Sequence, residues 1–336
     1  MKVLKSFMPF LLFILLLSFT IECPAEELTL EKITDNLYMI MGGGGNVAFL
    51  VTEEGVLVVD SKTFPYQGEE VVDKIRQVTD KEIKYLIYTH YHGDHVQGGQ
   101  SFPQSALFVA HANTAKNMET LGLSRIKSGK TRYQEQLNKI EKKVETLRAE
   151  KSPKLKQAEE ELSLVRARAK VYERLQLVFP EMTFHKKSVI YLGGNKVKLI
   201  YLGGGHTNGD ILVYFPQEKV IHMGDLLFNN IVPYIDRSAG SDTGNWINIL
   251  KKVAEMEKVE KVIPGHGELT DKKGLLALAD YLSDLRAEVK GYIEQGATLE
   301  EIKKKISLPK YQKMEGYSRR LSANVEAVYE ELTAKK

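Results

Sequence analysis

Seven residues, Thr89-His90-Tyr91-His92-Gly93-Asp94-His95, constrain this chain more than any other stretch. Three histidines and one aspartate fall within the six residues from His90 to His95, in the order H-x-H-x-D-H. A packed core has no use for so many imidazoles in so short a run, whereas a metal site does. In extended backbone, residues two apart point the same way, so His90 and His92 can bind one ion together. Asp94 and His95 come after a turn at Gly93 and can face a second ion. Imidazole nitrogen and carboxylate oxygen are ligands that suit zinc.

The surrounding pattern alternates strands with helices. Short strands are predicted over 28–33, 37–41, 47–51 and 56–60, the last ending in Asp60. Gly42-Gly43-Gly44-Gly45-Asn46 closes a hairpin between the second and third strands, either as a flexible turn or as a mobile flap over the site. Helical spacing marks 69–78, and a strand over 84–88 delivers the histidine loop at its carboxyl end, where α/β folds tend to carry their sites. A short helix is expected over 96–102 and a strand over 106–110. From Asn117 to Pro180 glycine nearly vanishes and apolar residues recur three and four apart, first over 133–147 and again over 155–172. These two heptad stripes predict an inserted antiparallel helical hairpin, with Ser152 capping its second helix and Pro153 in the first turn. Mutual packing of the two helices is the first expectation for it, and a homodimer contact or a lid the second. Strands return over 182–185, 188–192, 196–201, 211–215, 220–222 and 262–263. Helices are predicted over 245–256, 273–295, 299–306 and 322–333. Periodicity alone therefore gives an α/β class.

Composition adds limits. A net charge of +3 on 336 residues gives no case for nucleic acid. Residues 1–25 read as a signal peptide, with Lys2 and Lys5 before an apolar run from Phe7 to Ile21 and cleavage after Ala25. This predicts a periplasmic or secreted protein with no stable membrane association once the signal is cleaved. An uncleaved membrane anchor is the alternative, and lipidation at Cys23 a third. Cys23 is the single cysteine, so the mature chain would have neither a disulfide nor a cysteine ligand.

Downstream, His206 stands among glycines in Gly203-Gly204-Gly205-His206-Thr207-Asn208-Gly209-Asp210. Asp225 ends the run His222-Met223-Gly224-Asp225, and His266 lies in Pro264-Gly265-His266-Gly267. Together with the opening stretch, these pieces resemble the metallo-β-lactamase superfamily from about Leu28 to Gly267. The resemblance implies a four-layer αββα sandwich with the site at one edge of the two sheets. It also implies that His90, His92 and His206 hold one zinc, that Asp94, His95 and His266 hold another, and that Asp225 bridges them. Two zinc ions (iron is the alternative) would supply a hydroxide nucleophile at neutral pH. Asp94 and Asp225 are the catalytic candidates, acting on a small-molecule substrate. Asp60 is a candidate to brace a ligand histidine, or else a turn cap. Thr207 and Asp210 either brace the His206 loop or form its turn. His111, His185 and His222 fit no ligand position and read as structural. Phe228, Asn229 and Tyr234 are candidates to line the pocket, while Trp246 reads first as core.

Departures from the family pattern shape the expected activity. Its best-known zinc β-lactamases carry cysteine or serine where this chain has Asp225, and those with cysteine have a nearby lysine that is absent here. His92 stands where the superfamily's di-iron oxygen reductases have glutamate. The helical hairpin and the signal sequence separate the chain from glyoxalase II, and its motifs look closest to exported hydrolases of the superfamily. The expected activity is cleavage of an ester, thioester, lactone or amide. A β-lactamase and an iron-dependent persulfide dioxygenase on the same ligands are the alternatives.

Overall fold

The computed structural model of the protein describes residues 27–334; the signal-peptide reading, with Cys23, lies outside them. Two sheets carry the fold. The first holds β1 (Thr29–Lys32), β2 (Leu37–Met41), β3 (Val47–Thr52), β4 (Gly55–Val59), β5 (Ile83–Tyr88), β6 (Leu107–His111) and β7 (Met182–Phe184) side by side in chain order. Hairpins join β1 through β4 antiparallel, and β4 through β7 run parallel. The second holds β8 (Lys187–Leu192), β9 (Asn195–Ile200), β10 (Leu212–Phe215), β11 (Val220–His222) and β12 (Lys261–Ile263), in the order β12-β11-β10-β9-β8. Within it only β11 and β12 are parallel.

Central strands are apolar at nearly every position because both of their faces are covered. Along β4, Leu57 and Val59 point into the core between the sheets, whereas Val56 and Val58 point into the core under the outer helices. On β10, Val213 and Phe215 face the first sheet, and Leu212 and Tyr214 face the helices. This period-two division between two cores sets the register, since a slip of one residue would exchange the faces. The result is four layers, helix–sheet–sheet–helix.

The helices are α1 (Pro65–Arg76), α2 (Gly93–Val96), α3 (Ala112–Asn117), α4 (Leu123–Ala149), α5 (Leu155–Arg174), α6 (Thr243–Ala254), α7 (Lys272–Glu294), α8 (Leu299–Lys305) and α9 (Tyr317–Thr333). Helix α7 buries Leu275, Leu278, Leu282, Leu285 and Val289, a stripe with helical spacing, against the second sheet's outer core. Asp242 and Asp271 cap α6 and α7, accepting from the amides of Asn245 (2.8 Å) and Lys273 (2.7 Å). No helix among the described residues is long and apolar enough to cross a membrane.

Several boundaries differ from the sequence expectation, and the differences bear on the site. Asp94 and His95 do not follow a turn; they lie inside the one-turn helix α2, which precedes a 3-10 segment over 97–101. The helical run into the hairpin starts at Ala112 and passes through a π-type turn, Met118–Gly122, into α4. Ser152 and Pro153 belong to the connection, because α5 begins at Leu155. Helices α4 and α5 pack along their length and are laced by Lys143–Glu161, Arg148–Glu159 and Arg166–Glu141 ion pairs. Helix α9 begins at Tyr317, five positions before the expected Ser322, because Gly316 (φ +76°) supplies the left-handed residue at its start.

Candidate metal centre

Strand ends from both sheets bring the site together. The loop after β5 supplies His90 and His92, and α2 supplies Asp94 and His95; the loop between β9 and β10 supplies His206; the 3-10 turn after β11 supplies Asp225; the loop after β12 supplies His266. Potential ligand atoms of His90, His92, His206 and Asp225 lie within 4.8 Å of one another, and so do those of Asp94, His95 and His266. Asp225 touches both groups. Its Oδ2 is 3.6 Å from His90 Nε2 and 3.5 Å from His206 Nε2. Its Oδ1 is 3.1 Å from His95 Nε2 and 3.4 Å from His266 Nε2. Asp94 Oδ2 lies 3.2 Å from His266 Nε2. All seven residues expected from the sequence are thus brought together in the two expected sets.

Hydrogen bonds behind the histidines fix which nitrogen is bare. His206 Nδ1 faces the Tyr234 carbonyl at 2.7 Å and must donate to it. His92 Nε2 donates to Asp236 Oδ2 at 2.8 Å, and His95 Nδ1 to Asp60 Oδ2 at 2.7 Å. Thr89 Oγ1 donates to Asp60 (2.8 Å), so it can only accept from His90 Nδ1 (3.1 Å). In the neutral rings the opposite nitrogens then carry lone pairs aimed at the centre. Two of them, His206 Nε2 and His92 Nδ1, lie 2.8 Å apart, a repulsive contact that a cation relieves. His90 Nε2, His95 Nε2 and Asp225 Oδ1 are buried with no hydrogen-bond partner. Buried orphan acceptors in a nitrogen and carboxylate donor set fit two divalent ions with zinc's preferences.

Charge states differ between the two sets, and His95 and His266 must each release a proton to bind an ion. Burial lowers the His90, His92 and His206 pKa values and keeps those rings neutral. Burial also works against protonated His95 and His266, but Asp225 with its neighbouring carboxylates outweighs it and raises both, His266 to about 9. Burial would raise Asp225; the imidazoles of His266, His95 and His90 overcome it and hold the carboxyl well below its usual range. Asp94 is depressed in the same way, against burial, by His95 and His266.

The supporting residues divide into those the sequence suggested and those it did not. Asp60 is fully buried and holds a left-handed φ of +66°, and it also accepts from the Thr89 amide at 2.8 Å. Asp210 accepts from the Thr207 amide (2.7 Å) and hydroxyl (2.6 Å), so the pair forms the turn that presents His206. Trp246 is core: its indole N–H donates to the Leu226 carbonyl (2.9 Å), and its ring lies 5.6 Å from that of His206. Phe228 and Tyr234 line the cleft. Asn229 does not; it donates to the His266 and Glu268 carbonyls (2.9 and 3.0 Å) and so shapes the loop carrying His266. His111 caps α3, and His222 is buried between the Gly224 amide and the Asn46 carbonyl.

Sequence reasoning missed Asp236, Lys62, Arg125 and Arg320. Asp236, in a loop without regular structure, accepts from His92, Tyr91, Arg125 and Ser238. Buried Lys62 donates to the carbonyls of Ile40, Gly42 and Gly45 (3.1, 2.6 and 2.8 Å). Asn46 ties the same loop to the Pro264, Gly265 and Gly267 carbonyls. The glycine stretch is therefore anchored at both ends. Glycine is needed there for closeness: a Cβ on Gly45 would sit 2.3 Å from the His95 ring. The cleft over the metal ligands, about 260 Å³, is lined by His92, Asp94, Asp225 and His266, with Arg125 and Arg320 at its walls.

The sequence pattern described as the Metallo-beta-lactamase superfamily matches residues 40–266, which contain every candidate ligand. The chain belongs to the metallo-beta-lactamase superfamily. Its four-layer fold is the one the family implies. The metallo-beta-lactamase type 2 of Bacteroides fragilis is 33% identical over 93 residues, 27% of this chain and 37% of that enzyme. The linear primary-alkylsulfatase of a Pseudomonas species is 21% identical over 285 residues, 79% of this chain and 50% of that protein. Among solved structures, the stereoselective inverting sec-alkylsulfatase Pisa1 from Pseudomonas sp. superposes with a TM-score of 0.69 at 17% identity, over 92% of this chain and 51% of that one. The chain spans about half the length of these alkylsulfatases.

Proposed function

We propose that this superfamily member is an exported hydrolase that uses two zinc ions to cleave an ester bond, carboxylic or sulfuric, in a small molecule. The observation that carries the reading is the paired donor set: two groups of imidazole nitrogens and carboxylate oxygens that share Asp225, with His90, His92, His95 and His206 braced from behind. Zinc ions held there would supply a Lewis acid for the oxygen of the scissile group and a water of pKa near ~7. His90, His92 and His206 would hold one ion, Asp94, His95 and His266 the other, with Asp225 between them. Asp225 and Asp94 stay ionised, so each presents only acceptor oxygens. Asp94 is 31% exposed, against 4% for Asp225, and it is the carboxylate with access to the cleft to receive a proton or pass one to the leaving group. Support for an ester comes from the alkylsulfatase likeness, which runs over 92% of the chain and so beyond the residues 40–266 of the family pattern. Support for export is the Lys-flanked apolar run before residue 25.

Hydrolysis of a β-lactam is the second reading, favoured by the 33% identity to the Bacteroides fragilis enzyme. The sequence Asp225-Leu226-Leu227-Phe228-Asn229, which has neither a cysteine nor a lysine, ranks it below the ester. A panel decides: aryl sulfate, aryl acetate, thioester, lactone, phosphodiester and β-lactam substrates offered to the mature, zinc-loaded protein. The proposal expects an ester to give the highest kcat/KM. Preferred turnover of the β-lactam, or of none of the panel, would contradict it.

A further inference from the structure

Arg320 is charged, partly buried and unpaired where a purely structural side chain would need no charge. It sits in the first turn of α9, the end of a helix least suited to a cation. Burial and its sequence neighbour Arg319 lower its pKa, and the longer-range charges of Asp225, Asp94 and Glu315 only partly offset them. Among the described residues no carboxylate lies within 4.0 Å of its guanidinium, although four other arginines have such a partner. One of its N–H groups donates to the Val232 carbonyl (2.7 Å), and the guanidinium carbon stands 5.8 Å from the Phe228 ring centre. Phe228 in turn stacks on the ligand His266, ring centres 5.0 Å apart. The other donors of the fork are left for the cleft it lines. Asp94 and Asp225 act on Arg320 only from beyond ion-pair distance. Two divalent ions held by those two carboxylates and neutral histidines would leave the centre net positive. Arg125 reaches the same cleft from the His92 side, but its charge is engaged by Asp236 at 2.9 Å. Arg320 also lies outside residues 40–266, so the C-terminal helix adds it to the family's ligand set.

We propose that Arg320 is the specificity residue of this site and binds an anionic oxygen group, of sulfate or carboxylate type, next to the substrate's scissile bond. A planar guanidinium matches both groups through paired N–H donors. The assignment of that anion to a substrate rests on the hydrolase reading above; the anion site itself does not.

The test has two arms. Calorimetry titrates inorganic sulfate, and separately acetate, into the zinc-loaded wild type, Arg320→Gln and Arg320→Lys, each first shown by thermal melting to be folded. The expected result is that one of the two anions binds the wild type, about 10- to 100-fold more weakly Arg320→Gln, with Arg320→Lys between. No binding of either anion to the wild type, or equal binding to Arg320→Gln, overturns the proposal. The second arm compares kcat/KM on an aryl sulfate, an aryl ester bearing a carboxylate and a neutral aryl acetate. Arg320→Gln should lose about 10-fold or more on an anionic substrate, mostly in KM, and stay within about threefold on the neutral one. An equal loss on all three also overturns it. If the wild type turns over no ester while anion binding still depends on Arg320, the hydrolase reading fails and the anion site stands.

Discussion

Replacing Asp236 by asparagine should weaken one metal site and spare the other. Asp236 is 1% exposed, and its Oδ2 accepts from His92 Nε2 (2.8 Å), Arg125 (2.9 Å) and the Tyr91 hydroxyl. Asparagine keeps one oxygen in place but removes the charge. The bond from His92 then changes from charge-assisted to neutral, a loss of about 1–1.5 kcal/mol. Arg125 loses its carboxylate, but at 40% side-chain exposure that pair contributes at most ~1 kcal/mol after solvent screening. That pair does not touch the metal, so only the His92 loss of about 1–1.5 kcal/mol counts, roughly 5- to 13-fold in zinc affinity, the low end of what altering partners behind a metal ligand does. Competition against a chromogenic chelator should resolve two binding phases. The ion held by His90, His92 and His206 should weaken, and the ion held by Asp94, His95 and His266 should stay within about threefold of wild type. Two unchanged phases, or two phases shifted equally, would refute the view that Asp236 acts through His92.

Two further outcomes are expected. Gly45→Ala brings a methyl to 2.3 Å from the His95 ring, so either the ring or the anchored glycine loop must move. Turnover should fall about 100-fold, the scale of a 1 Å misplacement in an active site, while the far-ultraviolet circular dichroism stays that of the wild type. His222 gives a pH test. Burial lowers its pKa from 6.5 to about 4, so between those values the unfolded chain takes up a proton that the folded chain refuses. Its contribution to stability is complete above pH 6.5 and lost as pH falls towards 4, about 3 kcal/mol in all. His222→Gln can still accept from the Gly224 amide and donate to Asn46, and should flatten that part of the urea-melt stability curve. An unchanged slope would show that His222 does not carry it.

The ligands were legible because they gather in short segments that follow strands, most of them beside glycine or aspartate, a pattern that survives without coordinates. The layered fold was legible from runs such as Val56–Val59, apolar at every position as two-sided burial demands. Asp236 gave no such signal. It lies in an irregular loop, and its role exists only because His92, Tyr91 and Arg125 converge on it from elsewhere in the chain. Lys62 looked like any surface lysine, although its ammonium holds three carbonyls of the glycine loop. Arg320 carried no signal, because it precedes the predicted helix over 322–333 and stands beside a second arginine, Arg319. Asn229 was misplaced for the opposite reason, since nearness in sequence to Asp225 suggested the pocket while its bonds run back to the loop that carries His266. Local pattern reveals groups that recur with secondary structure; groups recruited across the fold become visible only in three dimensions.

Metal stoichiometry and location test the central claim most directly. Zinc-edge anomalous scattering from crystals of the protein, together with elemental analysis of the same preparation, should give two zinc ions per chain. One should lie among His90, His92, His206 and Asp225, the other among Asp94, His95, His266 and Asp225. His92→Ala should lose the first ion and with it ester turnover. Iron in place of zinc with oxygen uptake, no ion within the paired ligand sets, or full turnover by His92→Ala would contradict the account.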